Sequence, residues 1–255
     1  MRIVVKIGTS TLAHPTGHLN IRRVEALCKV MSDIKNAGHE LILVSSGAIG
    51  MGVGKLGLRQ RPADIPTKQA AAAVGQCELM YFYDKIFGEY HHTVAQLLIT
   101  GDDTKNERRH ANFTNTLNRL LELGALPILN ENDTVATEEI VIGDNDTLAA
   151  IVAQSIGADL LILLSDIDGL YTADPHTHPD AQLLHRITRL DDSVRQLAGV
   201  SSSRQGTGGM VTKLRAAEIC LGCGCDMVIA NGNDPENLYR ILDGQNIGTT
   251  FTREE

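Results

Sequence analysis

The stretch GTGGMVTK, residues 206–213, carries three glycines, two threonines and a closing lysine ahead of a helical pattern. Glycines let backbone N–H groups turn toward an anion, and a helix start favours negative charge. The stretch is not a Walker loop, because that pattern needs Gly-Lys-Ser/Thr and here Thr212 precedes Lys213. The dinucleotide pattern fails as well, since its third glycine falls at 211, where Val211 stands. Taken alone, the residues read equally as a phosphate cradle or as a mobile, small and polar surface loop.

Four more segments bear on the chemistry. Lys6 sits near the end of an apolar run (Ile3, Val4, Val5, Ile7), where burial without a partner is costly. It is either a strand-end lysine reaching solvent or a ligand contact; Gly8, which lets the backbone approach a ligand, favours the second. Ser45-Ser46-Gly47-Ala48 closes another apolar run. The GVGKLG that follows matches G-x-G-x-x-G only formally, with no strand directly before it. Asn130-Glu131-Asn132-Asp133 is dense in amides and carboxylates, and by itself fits an Asx-rich turn. Gly143-Asp144-Asn145-Asp146 precedes a helical pattern. One Asp is explained as an N-cap, whereas two Asp and an Asn exceed that need. Two lysines from opposite halves, an Asp to hold them and glycine-flanked strand ends suggest phosphoryl transfer, which needs positioning and charge neutralisation. A carboxylate acceptor is already ionised at neutral pH and needs no general base; no histidine lies in these segments.

The elements that must position these groups follow from the apolar pattern. Short apolar runs at 2–7, 40–47, 93–100, 125–133, 159–171 and 226–232 predict strands, with a last one near 247–251. Helical patterns lie between them at 21–37, 68–87, 107–123, 143–157, after GTGGM, and near 235–242. The alternation predicts an α/β fold, a mostly parallel open sheet with helices on both faces. The polar clusters fall at the carboxyl ends of strands, where open α/β sheets bind ligands. Residues 168–182 read as a loop or hairpin excursion.

The totals limit the alternatives. A chain of 255 residues with 43% hydrophobic and 21% charged residues fits a soluble globular protein with a large core. Its net charge of −8 argues against nucleic-acid or anionic-membrane partners. The N-terminus lacks a signal-peptide pattern, and LLILL at 160–164 is too short to span a bilayer, so a cytoplasmic location is expected. Cys220, Cys223 and Cys225 crowd together. With no fourth ligand nearby in sequence, a structural role fits them better than a metal site.

The ordered set VVKIGTS, VSSGAIGMG, NENDTVAT, IGDND, SDIDGLYTADP and GTGGMVTK resembles the glutamate 5-kinase family of the amino acid kinase superfamily, from Arg2 to about Phe251. The resemblance implies a three-layer α/β/α sandwich in one kinase domain, with a glutamate-binding half (about 1–150) and an ATP-binding half (about 151–255). It implies ATP and L-glutamate giving ADP and L-glutamyl 5-phosphate, the first step of proline synthesis. Lys6 and Lys213 would stabilise the moving phosphoryl group, Asp146 would organise them, and Gly8 and Gly47 would offer backbone N–H groups. Ser46, Asp133 and Asn145 would hold glutamate. Lys6, Ser165, Asp166 and Thr207, Gly208, Gly209, Met210, Val211, Thr212 and Lys213 would contact ATP, with Mg²⁺ arriving on the nucleotide. Dimers or tetramers, feedback by proline and a functional link to glutamyl phosphate reductase are further implications. Ser165 stands where threonine is common. Many relatives continue into a C-terminal PUA domain, which is expected to be missing here. Kinases for N-acetylglutamate or aspartate, and a non-catalytic amino-acid sensor, are the alternatives; retention of both lysines and Asp146 speaks against the sensor.

Overall fold

The computed structural model describes residues 1–14, 16, 18–135, 145–175, 177–200 and 209–253, with side chains for all of these except 198–200. In chain order the elements are β1 (Arg2–Ile7), α1 (Thr9–Leu12), α2 (Ile21–Asn36), β2 (Glu40–Val44), α3 (Ala48–Lys55), α4 (Ile65–Glu89), β3 (Val94–Ile99), α5 (Gly101–Lys105) and α6 (Glu107–Glu122). They continue with β4 (Leu126–Glu131), α7 (Asn145–Ile156), β5 (Leu160–Ser165), β6 (Arg186–Ile187), α8 (Asp192–Val200), α9 (Met210–Cys223), β7 (Asp226–Asn231), α10 (Asn237–Leu242) and β8 (Thr249–Phe251).

One sheet runs β3-β4-β2-β1-β5-β7-β8-β6, parallel at every pairing except β7 with β8. The sheet is covered on both faces, which is why its strands read as near-continuous apolar runs. Alternation along β1 sorts the two sides. Val4 joins Ile42, Leu161 and the buried residues of α6, α7 and α9. Ile3, Val5 and Ile7 join those of α2, α3, α4 and α10. The result is the expected three-layer sandwich. The chain leaves β1 toward β2 on one side and places β5 on the other, so the carboxyl end of β1 lies at the reversal where open α/β sheets bind ligands.

The structure adds short elements that the apolar pattern did not indicate, among them α1, α3, α5, α8 and β6. The glycine-rich segment after Gly47 is the helix α3, so the formal G-x-G-x-x-G match there is no phosphate loop. Its glycines serve packing instead. A Cβ on Gly52 would lie 1.8 Å from the Ala71 carbonyl oxygen of α4, and one on Gly75 would lie 1.8 Å from that of Ala48. The 168–182 excursion closes through an antiparallel bridge, Tyr171 with Leu183. Cys220 and Cys225 are buried where α9 ends and β7 begins, and Cys223 is exposed. Among the described residues no helix is long and apolar enough to cross a membrane.

Candidate active site

Lys6 shares the face of β1 that Val4 uses, toward α7 and α9. At the carboxyl end of the strand it therefore meets the first turns of those two helices. Its Nζ lies 2.7 Å from Asp146 Oδ1, and Lys213 Nζ lies 3.0 Å from Asp146 Oδ2. The Thr212 hydroxyl is also 3.0 Å from Oδ2 and 2.8 Å from the Gly209 carbonyl. Asp146 is fully buried, while Lys6 and Lys213 retain 8% and 5% exposure. Burial pushes the Asp146 carboxyl up, but the two lysines together outweigh it and hold the group below the usual carboxylate range. Among the described residues of this cluster, two ammonium groups meet one carboxylate, a surplus of one positive charge at the strand end.

Glycines border this cluster. Gly47 has φ +96°, a left-handed conformation that a side chain would strain, and it turns the chain from β2 into α3. Gly8 sits before α1 at φ −78°. Its N–H, expected to be offered to a ligand, is directed instead at the Leu164 carbonyl, at 3.3 Å.

A second polar cluster occupies the ends of β2 and β4. The Asn145 amide nitrogen lies 2.7 Å from the Ser45 carbonyl, 2.9 Å from Ser46 Oγ and 2.9 Å from Asn130 Oδ1. A backbone carbonyl only accepts, so the NH₂ group must face inward, leaving Asn145 Oδ1 as the outward acceptor. Asn130 is buried and donates to Gln76 Oε1 at 2.8 Å. Ser45 Oγ meets the Tyr83 hydroxyl at 2.8 Å. Asp133 lies just beyond β4, half-buried. Burial raises its pKa, and the charge of Arg61 only partly offsets that.

The third cluster is at the end of β5. Ser165 is buried and donates to Asp166 at 3.2 Å, while Asp166 is exposed. Gly209 precedes α9, Met210 is buried and Val211 is 63% exposed. Thr207, Gly208 and Asp144 lie outside the described residues.

The sequence-predicted residues thus fall into three groups at one edge of the sheet. Lys6, Asp146, Thr212 and Lys213 touch directly; Ser46 and Asn145 join the second group, and Ser165 and Asp166 the third. Asp133 stands apart, facing Arg61. Sequence reasoning missed Asn130 as the hub of the amide network, and it missed Gln76 and Tyr83. The last two are seven residues apart on α4, in one stripe with the buried Leu79. A glutamine interrupting an apolar helical stripe was the signal available.

A family model described as the amino acid kinase family matches residues 1–231. The chain is 52% identical to glutamate 5-kinase of Clostridium perfringens, covering 100% of this chain and 96% of that one. It is 50% identical to glutamate 5-kinase of Listeria monocytogenes, covering 100% and 94%. Against glutamate 5-kinase of Caldanaerobacter subterraneus it is 51% identical over 98% of this chain and 68% of the relative. Among solved structures, carbamate kinase from Giardia lamblia bound to AMP-PNP aligns with a TM-score of 0.69 at 18% identity, covering 99% and 98%. UMP kinase from Bacillus anthracis aligns at 0.67 and 16% identity, covering 100% and 96%. These two likenesses show the shared fold alone. The lysine pair bridged by Asp146 sits in a chain half-identical throughout to enzymes of one name, and the chain belongs to the amino acid kinase family, in its glutamate 5-kinase branch.

Proposed function

We infer that the protein transfers the γ-phosphoryl group of ATP to the side-chain carboxylate of L-glutamate, the reaction that opens proline synthesis. The observation that carries this reading is the Lys6–Asp146–Lys213 bridge, with one surplus positive charge at the switch point of the sheet. A carboxylate oxygen attacks the γ-phosphorus, the bond from that phosphorus to the bridging oxygen breaks, and ADP leaves with the electron pair. No proton needs to move. Lys6 and Lys213 stabilise the charge on the transferring group, and Asp146 keeps both in place. The first half, about 1–150, holds glutamate and the second half, about 151–255, holds ATP.

The amide network supports the glutamate half. Asn145 Oδ1 would accept from the substrate ammonium while its NH₂ is engaged by protein acceptors. Ser46 Oγ accepts from Asn145 and keeps its own proton for a substrate carboxylate. Asp133, whose burial outweighs the charge of Arg61, suits a free ammonium; N-acetylation would remove that charge. The ATP half draws on Ser165, Asp166 and the loop into Lys213, with Gly47 letting backbone approach the phosphates and Gly8 keeping a side chain away from Lys6 Nζ, 3.9 Å from where its Cβ would lie. Mg²⁺ would arrive with the nucleotide phosphates, which is its common mode.

A coupled ADP-release assay with glutamate, N-acetylglutamate and aspartate tests the assignment. The expected outcome is turnover with glutamate at a kcat/KM at least about 100-fold above N-acetylglutamate, the difference of one charged contact, and at least about 10-fold above aspartate, whose side chain is one methylene shorter. Comparable turnover with N-acetylglutamate contradicts the role given to Asp133, and binding without turnover of any acid favours a sensor.

A further inference from the structure

A cavity of about 650 Å³ opens in the layer that holds α2 and α10, on the other side of the sheet from α7 and α9. Its volume falls within the usual range for small-molecule sites, roughly 300–1,000 Å³. Arg22, Arg23 and His14 supply its polar wall, Leu19 and Pro235 an apolar one, and Asn233 closes one side. No carboxylate is among the described lining residues. Arg22 has no hydrogen bond or ion pair among the described residues. Mixed cationic and apolar walls select an anion with a hydrophobic portion.

Two of the lining residues, Arg23 and Asn233, connect to the carboxyl ends of β1 and β7. Arg23 donates from Nη1 to the Ser10 carbonyl at 3.2 Å, and Ser10 lies in α1, directly after Gly8. The Asn233 N–H donates to Asn231 Oδ1 at 2.9 Å, and Asn231 in turn donates to Asp168 at 2.7 Å. A ligand competing for the Arg23 guanidinium therefore acts on the segment that follows Lys6.

We propose that this cavity is a second binding site, separate from the catalytic cluster, for a small organic anion: a carboxylate or phosphate ester with an apolar portion. Its occupancy is transmitted to the end of β1 through Arg23 and Ser10. Isothermal titration with phenyl phosphate and, separately, benzoate distinguishes the two anion types, and benzyl alcohol tests the apolar portion alone. The titrations are run on the whole chain, its Arg22→Glu variant and its Lys213→Ala variant. Arg22 is exposed and makes no hydrogen bond or ion pair among the described residues, so Arg22→Glu is expected to keep the fold and the basal rate, which circular dichroism and the ADP assay verify.

At least one anion is expected to bind the unmodified chain, to lose about tenfold or more in affinity in Arg22→Glu, and to keep its affinity in Lys213→Ala. Benzyl alcohol is expected to give no binding. The bound anion is expected to shift KM for ATP or glutamate at least about twofold in the unmodified chain and not in Arg22→Glu. No binding by either anion overturns the site, as does binding that survives Arg22→Glu or disappears in Lys213→Ala. Binding that leaves every kinetic constant unchanged overturns the link through Arg23. The titration needs no turnover, so its failure is distinct from any failure of the glutamate reading.

Discussion

With Nζ atoms 2.7 and 3.0 Å from the same carboxylate, Lys6 and Lys213 are close enough to repel each other strongly in a site this buried. Asp146 removes that conflict and fixes both ammonium groups at one distance from the point where phosphate charge must spread. Its depressed pKa keeps it ionised down through the ordinary carboxylate range, so the bridge persists at neutral pH and is lost only as pH falls through that lowered value. Asp133 behaves in the opposite sense. Its pKa is raised by burial, and contact with a substrate ammonium requires the ionised form. KM for glutamate is therefore expected to rise as pH falls through this raised pKa, above the usual Asp value of about 3.9. In Asp133→Asn the profile should flatten and KM should rise about 10- to 100-fold, the worth of one charged hydrogen bond. A pH series of initial rates, fitted separately for kcat and KM, checks this. A pH effect that falls on kcat instead removes Asp133 from ammonium binding.

At the scale of elements, the pairing of α3 with α4 sets the position of Ser46. Gly75 allows α4 to approach the first carbonyl of α3, and a Cβ there would lie 1.8 Å from Ala48 O and 2.5 Å from Gly52 N. Both contacts are backbone, so relief requires the helices to part. Gly75→Ala is expected to cost about 1–3 kcal/mol by overpacking and to lower Tm by roughly 2–10 °C. It is also expected to raise KM for glutamate as Gly47 and Ser46 are displaced. Gly88→Ala on the same helix meets nothing within 4 Å and serves as the control, neutral or stabilising. Thermal melts of the two variants decide the point, and equal melting contradicts the close-approach account. The same pair of helices shows what local pattern conveys. β1, β2 and β5 were legible because strands buried on both faces read as near-continuous Val, Ile and Leu. α3 was not, because AIGMGVGK has the composition of a loop, and its glycines answer to the backbone of α4 rather than to local propensity. Gln76 was hidden for a similar reason, since its partner Asn130 lies on a distant strand.

For the molecule as a whole, the fold brings a strand end, α7 and α9 to one point from three distant parts of the chain. Residue types indicated the chemistry: two lysines, an aspartate and glycine-rich turns. They suggested an Asp holding both lysines, but not how Asp146 and Lys213, 67 residues apart, come within hydrogen-bond distance, nor that the Gly8 N–H points at Leu164. Those are products of strand order and register, which no local window contains. The surplus charge at this junction is the central element of the account, and it divides between a lysine from each half. The most direct test is the steady-state rate of Lys213→Ala with ATP and glutamate. Loss of one preorganised charge is expected to lower kcat by about 100- to 1,000-fold, with KM for glutamate changed less than about threefold. An unchanged kcat, or a loss confined to KM for glutamate, contradicts the placement of Lys213 at the transferring phosphoryl group.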